Sequence, residues 1–145
     1  MKTLLVLLLL TLVSSSALAD DLVDAKAAFA TLIQYQKTDD ERSPDLFSKD
    51  CVITYTMSDG TNEKTTAVPT EVFIDGMKKA IAQKKGSQEI HGNVKYAQEA
   101  GGIRVTADVR RPTSSRSGLL SVLYRRDSDG VLRIHDFRAT MYVNR

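Results

Sequence analysis

Apolar residues recur at Leu22, Ala25, Phe29, Leu32 and Ile33, the spacing of one face of an α-helix. Asp20 and Asp21 ahead of them suit a helix N-terminus, where carboxylates meet free backbone N–H groups. The pattern dissolves in the polar run 38–42. Ser43-Pro44 then joins a capping residue to a proline at the first helical position, which predicts a second, short helix. From Cys51 the period changes to two: Cys51, Ile53, Tyr55 and Met57 share one face, Thr54 and Thr56 the other, as in a half-buried strand. Asp59-Gly60 signals a hairpin turn, so residues 64–68 pair back on that strand. Pro69-Thr70 opens a helix over 71–85 with the apolar stripe Val72, Phe73, Met77, Ala80 and Ile81; lysines crowd its last turn and Gly86 stops it.

The rest of the chain has the period of strands. Residues 89–98 carry Ile90, Val94 and Tyr96 on one face, which leaves His91 on the opposite, surface side. After the turn Gly101-Gly102, residues 103–110 alternate without a break: Ile103, Val105, Ala107 and Val109 inward, Arg104, Thr106, Asp108 and Arg110 outward. A polar loop, 112–118, leads to a strand over 119–126, and Asp127-Ser128-Asp129-Gly130 turns into a closing strand over 131–143. There Leu132 and Ile134 share a face, but Phe137, Ala139, Met141 and Val143 have the opposite parity. One extra residue near His135-Asp136 would restore a single buried face, so the pattern predicts a β-bulge. The alternative is that both faces are covered, one of them by a partner subunit.

The N-terminus changes the picture of where the chain works. Met1-Lys2, an apolar run of roughly 10 to 13 residues and Ala17-Leu18-Ala19 are the three parts of a cleaved secretory signal peptide. The run is shorter than the ~20 apolar residues a membrane span needs. The expectation is a leader over 1–19, cleavage near Ala19, and export of residues 20–145 as one domain to the periplasm or beyond, with no membrane span in the mature chain. Cys51 is the single cysteine, so no intramolecular disulfide forms, and its inward parity predicts a buried thiol.

Charge is unevenly spread. Residues 20–101 hold ten Lys and Arg against fourteen Asp and Glu; residues 102–145 hold nine against four, and all nine are Arg. Such asymmetry marks either a surface for an anionic partner or Arg side chains covering a sheet face or dimer contact. No nucleic-acid motif accompanies it.

Helix, short helix, hairpin, helix, then four long antiparallel strands resembles the nuclear transport factor 2-like superfamily, and the SnoaL-like members most. The residues that carry the resemblance are Asp45-Leu46-Phe47-Ser48-Lys49-Asp50-Cys51-Val52, the helix over 71–85, Ile90-His91-Gly92-Asn93-Val94, and Asp129-Gly130-Val131-Leu132-Arg133-Ile134. Together they span essentially all of residues 20–145. Val131-Leu132 stands where many relatives have Trp after the final Gly. The resemblance implies an α+β cystatin-like roll, a curved antiparallel sheet wrapped as a cone around the helices with an apolar cavity at its open end. Its members include isomerases, dehydratases and cyclases beside domains that only bind or dimerise, so fold does not fix function.

Proton-transfer enzymes of that fold use a cavity carboxylate or His with a Tyr or acid that stabilises developing charge. His135 and Asp136, at the expected bulge, are the candidate catalytic pair. Tyr55, Tyr96 and Tyr124, on inward strand positions, are the candidate ligand-lining residues. With two His and one Cys no metal-ligand spacing exists, and Asp127–Gly130 lacks the glutamate of a calcium loop. No cofactor motif is present. The preferred expectation is an exported, non-catalytic domain binding a small apolar ligand in the cone or a protein on its sheet, since no inward position before the last strand carries Asp or Glu. The alternatives are a small lyase or isomerase using Asp136 or His135 with a tyrosine, and a structural homodimer formed through the sheet.

Overall fold

The computed structural model describes residues 2–99 and 101–143, with side chains from Ala17 onward. The chain runs α1 (Lys2–Thr38), a short 3-10 turn (Ser43–Leu46), β1 (Phe47–Ser58), β2 (Glu63–Val68), α2 (Thr70–Ala82), β3 (Ile90–Glu99), β4 (Gly102–Arg110), β5 (Ser117–Arg126) and β6 (Leu132–Tyr142). The first helix therefore starts before the expected Asp20, because the residues ahead of it continue the helical backbone without a break. The expected leader falls on Met1 and on side chains that, up to Ser16, lie outside the described residues. No helix among the described residues is long and apolar enough to cross a membrane.

All six strands form one curved, unclosed sheet in the order β2-β1-β6-β5-β4-β3, an α+β arrangement with the helices on its inner face. The sheet is antiparallel except where β6 lies parallel to β1, which joins the β1–β2 hairpin to the four-stranded meander. From α1, Ala25, Phe29 and Leu32 enter the core; from α2, Phe73, Ile74 and Met77 pack on its margin. Against them stand Phe47, Ile53, Ile103, Val105, Ala107, Leu120, Val122, Tyr124, Ile134 and Phe137. A fully buried side chain of this size contributes roughly 1.5–3 kcal/mol, so these few rows supply most of what holds the layers together. Cys51 belongs to the same cluster; burial, with the Asp136 charge second, pushes its thiol up to about 12, which makes it inert as the parity implied.

Among the three register shifts of the described strands, two bulges, in β6 and β3, bear on which candidate side chains face inward. The β5–β6 register passes from Leu123↔Asp136 to Tyr124↔Ile134, so His135 is the extra residue the sequence asked for. Leu132, Ile134, Phe137 and Ala139 then all meet the core despite their mixed parity. A second bulge lies in β3, where the register passes from Gly92↔Asp108 to Lys95↔Thr106 and Asn93 takes φ 48°. Asn tolerates that left-handed conformation better than most residues. This bulge corrects the expected facing of His91. Its side chain is only 5% exposed, edge-on to Phe29 at 6.1 Å, while Ile90 and Val94 turn outward and are 46% and 37% exposed.

The outer face of the sheet holds a buried polar row. Arg104 Nη1 donates to Asp136 Oδ2 at 2.7 Å and to Ser121 Oγ at 3.2 Å, and its Nε and Nη2 donate to Glu99 at 3.0 and 2.9 Å. Arg138 Nε approaches the same Asp136 oxygen at 2.8 Å. The C-terminal excess of arginine is largely taken up inside the molecule: Arg104, Arg111, Arg126, Arg133 and Arg138 are all in ion pairs.

Candidate functional site

Between the C-terminal half of α1, α2 and the inner face of the sheet is a cavity of about 860 Å³, within the roughly 300–1,000 Å³ range of small-molecule sites. Its apolar wall comes from α2 (Phe73, Met77), β5 (Leu120) and β6 (Phe137, Met141), with Tyr55 and Met57 from β1. The aromatic rings interlock: Phe73 lies 5.4 Å from Phe137, and Tyr55 lies 6.4 Å from each. The cavity exists because α2 reaches the sheet only at its edge and leaves the concave surface of β5 and β6 partly uncovered.

The polar end of the cavity is built by two connections, 83–89 before β3 and 111–116 before β5. Arg111 Nη2 and Nε donate to Glu89 Oε1 at 2.7 and 3.1 Å and so tie the two together. The first connection is docked on the end of α1: Ser87 N–H donates to Gln36 O, and Gly86 N–H donates to Asp39 Oδ2 at 2.7 Å. Gly86 has φ +60°, and a Cβ there would stand 2.6 Å from Lys37 O, so only glycine allows this approach. Gln36 Oε1, on the cavity wall, is buried without a hydrogen-bond partner among the described residues.

The five candidates of the sequence are placed as follows. Tyr55 lines the cavity, and burial followed by the Glu89 charge pushes its hydroxyl above the ordinary value. Tyr124 does not line it. It is 1% exposed within the core, its hydroxyl has no hydrogen-bond partner among the described residues, and burial raises it well above the tyrosine range. Tyr96, half-buried on β3, stacks under Lys26 Nζ at 5.5 Å, away from the cavity. His135 and Asp136 lie outside it as well, because the bulge sets both of them between the core residues Ile134 and Phe137 and turns them away from the inner face. His135 Nε2 meets Asp127 Oδ1 at 2.6 Å, outside hydrogen-bonding angles, and Asp136 turns to Arg104 on the outer face.

Sequence reading missed Glu89 and Gln36 and placed His91 on the surface. Glu89 and Arg111 lie in connections, where strand parity assigns no direction. Gly92-Asn93 was the one readable sign of the bulge that turns His91 inward. Among the described residues both His91 ring nitrogens lack hydrogen-bond partners, with Nε2 4.0 Å from Glu89 Oε2. Burial holds its pKa below the ordinary 6.5, opposed by Glu89 and reinforced by Lys37. The unfolded chain therefore takes up a proton before the folded one as pH falls below about 6.5, and stability drops in that window. Urea unfolding of the wild type and of His91→Phe at neutral pH and near pH 5 reads this. The wild type is expected to lose more stability than the variant, and equal losses would show that the imidazole is solvated. Among the described residues no group of three or more His, Cys, Asp and Glu could hold a metal ion.

No family model matches the chain, and no curated protein does. Solved structures do. A nuclear transport factor 2-like protein with a cystatin-like fold from Novosphingobium aromaticivorans superposes with a TM-score of 0.58 at 16% identity over 90% of this chain and 87% of that one. The beta subunit of the benzoate 1,2-dioxygenase from Burkholderia mallei gives 0.60 at 15% identity, covering 83% and 90%. A nuclear transport factor 2-like protein of unknown function from Pseudomonas putida gives 0.62 at 8% identity, covering 84% and 86%. The chain has the nuclear transport factor 2-like fold. At these identities the likeness extends to the fold alone.

Proposed function

We propose that the chain is an exported domain that binds a small apolar ligand in the cavity between α2 and the sheet, without catalysing its conversion. The observation that carries this reading is the cavity itself: about 860 Å³ with a continuous wall of Tyr55, Phe73, Met77, Leu120, Phe137 and Met141. Contiguous apolar surface of this extent is seldom left without an occupant. The tripartite leader supports export. Val52 and Leu119, large apolar side chains 56% and 37% exposed on the outer sheet face, support pairing with a second copy there. Native mass spectrometry of the secreted product in the presence of N-phenyl-1-naphthylamine, a neutral apolar probe, tests all three parts. The expected species is a dimer of chains beginning at Asp20, each with one probe, and the probe is lost in Met77→Trp, which fills the cavity. A chain that retains Met1, a strict monomer, or a probe that binds Met77→Trp equally well would each remove the corresponding part.

A second reading, a proton-transferring lyase or isomerase, is favoured by one observation: Glu89 and Tyr55 line the same cavity, and the Glu89 charge adds to burial in raising the Tyr55 hydroxyl. It is a carboxylate–tyrosine pair of the kind such chemistry uses, built from a residue other than Asp136. Turnover abolished by Glu89→Gln with ligand binding retained would favour it over binding alone.

A further inference from the structure

We infer that the ligand is an amphiphilic anion, an apolar chain or ring system ending in a single carboxylate, whose head is held at the cavity mouth by Lys85 and Arg116. This rests on the reading of the cavity as a ligand site and adds the chemistry of the ligand's polar end. Five charged residues border the cavity: Asp39, Lys85, Glu89, Arg111 and Arg116. Three of them are satisfied within the fold. Glu89 accepts both hydrogen bonds of Arg111, and Asp39 accepts the Gly86 N–H. Lys85 and Arg116 have no carboxylate partner among the described residues. Glu89 is neutralised by Arg111 and Asp39 is held by a backbone amide, whereas Lys85 and Arg116 have no carboxylate of the described residues within ion-pair distance. Arg110 and Arg125 likewise have no carboxylate partner among the described residues, but neither borders the cavity, whereas Arg116 does.

Position strengthens the case. Lys85 lies four residues before Glu89 and Arg116 five residues after Arg111, and the Glu89–Arg111 contact brings these two connections to one end of the cavity. The segment that carries Lys85 is fixed to α1 through Gly86 and Ser87, so that cation is presented by an anchored backbone. The remaining wall of Phe73, Met77, Leu120, Phe137 and Met141 offers a charged head nothing in exchange for its hydration. An amphiphile therefore enters with its apolar part and leaves its head at the mouth. There a carboxylate meets two cations that have no carboxylate partner among the described residues, a neutral head gains no charge attraction from them, and an ammonium is repelled. Each exposed contact is weak by itself. Two acting on one carboxylate are expected to favour it about tenfold over a neutral head on the same tail.

Isothermal titration of the full chain with decanoate, decanol and decyltrimethylammonium separates head from tail. Decanoate is expected to bind about tenfold tighter than decanol, with decyltrimethylammonium weakest, and added salt should erode the difference. In Lys85→Gln/Arg116→Gln, two exposed positions whose replacement leaves the core intact, the preference should vanish while decanol binding is unchanged. Equal binding of the three heads, or a preference that survives the double substitution, overturns the anion assignment and leaves the cavity as a site for neutral ligands. Failure of every decyl compound to bind, together with loss of the neutral probe, overturns the ligand reading on which it rests.

Discussion

Asp136→Ala is expected to lower the stability of the domain by about 3 kcal/mol, the lower end of the range for breaking a buried ion pair from one side. The carboxylate and the Arg104 guanidinium are each 10% exposed, on a sheet face that no helix covers. Their burial comes from their neighbours on the adjacent strands, Glu99, Ser121 and Arg138, which close over them. Removing Asp136 leaves Arg104 desolvated, with Glu99 as its remaining anionic partner, and that residue is 43% exposed. The surviving contact is why the loss falls at the low end. A domain of this length has roughly 5–15 kcal/mol in hand, so the change is large. Replacing both partners by Arg104→Met/Asp136→Leu should recover most of it, because no buried charge is then left alone. Urea unfolding of the two variants decides the matter. A single variant within about 0.5 kcal/mol of wild type would mean that water reaches Arg104 and that the row behaves as a surface pair. Ligand binding is expected to persist in both variants, since Asp136 faces away from the cavity.

How much of this was readable follows from how each residue is directed. Strand parity gives a direction for every side chain between two reference points, and it succeeded where the apolar residues on both sides of an irregularity were unambiguous. Ile134 and Phe137 could not share a face without an extra residue, so the pattern pointed to a bulge near His135-Asp136, with two covered faces as the alternative. In β3 the same logic failed, because Ile90, Val94 and Tyr96 are all apolar and happen to agree in parity. Nothing in the pattern demanded a bulge, although Asn93 could adopt the conformation one requires. His91 was therefore assigned to the surface. Elements with caps and turn residues were legible as well: α2 begins at Thr70 as Pro69 implies, though it ends at Ala82, so that Lys84 and Lys85 leave the helix for the connection. The cavity was legible only as an implication of the fold family. Its volume depends on how far α2 stands from β5 and β6, and no local pattern encodes that separation. Its charged groups sit in the two connections, where neither a period of two nor one of 3.6 applies. That is why Glu89 went unseen while Tyr55, on a regular strand, was found.

Phe137→Ala is expected to cost about 3 kcal/mol or more, at the near end of the 3–5 kcal/mol seen when a buried phenyl ring is deleted. The ring is the hinge between the closed core and the open cavity: 6% exposed, 5.8 Å from Phe47, 5.4 Å from Phe73 and 6.4 Å from Tyr55. It occupies that position only because His135 is extruded two residues earlier, so the bulge acts on stability through this side chain. Deletion removes the transfer free energy of the ring and strips three aromatic neighbours of a contact. The space it leaves lies against an existing cavity of about 860 Å³, and so it enlarges an open volume more than it creates a sealed void. Water or ligand can enter there, which is the reason to expect the near end of the range. Phe137→Leu keeps most of the volume and should cost no more than about 1.5 kcal/mol. Chemical unfolding of the pair measures the ratio, and the neutral naphthylamine probe measures the cavity in the same samples. A loss below about 1 kcal/mol in Phe137→Ala would show that the aromatic cluster is loosely packed, and the wall of the proposed site could then not be treated as preformed.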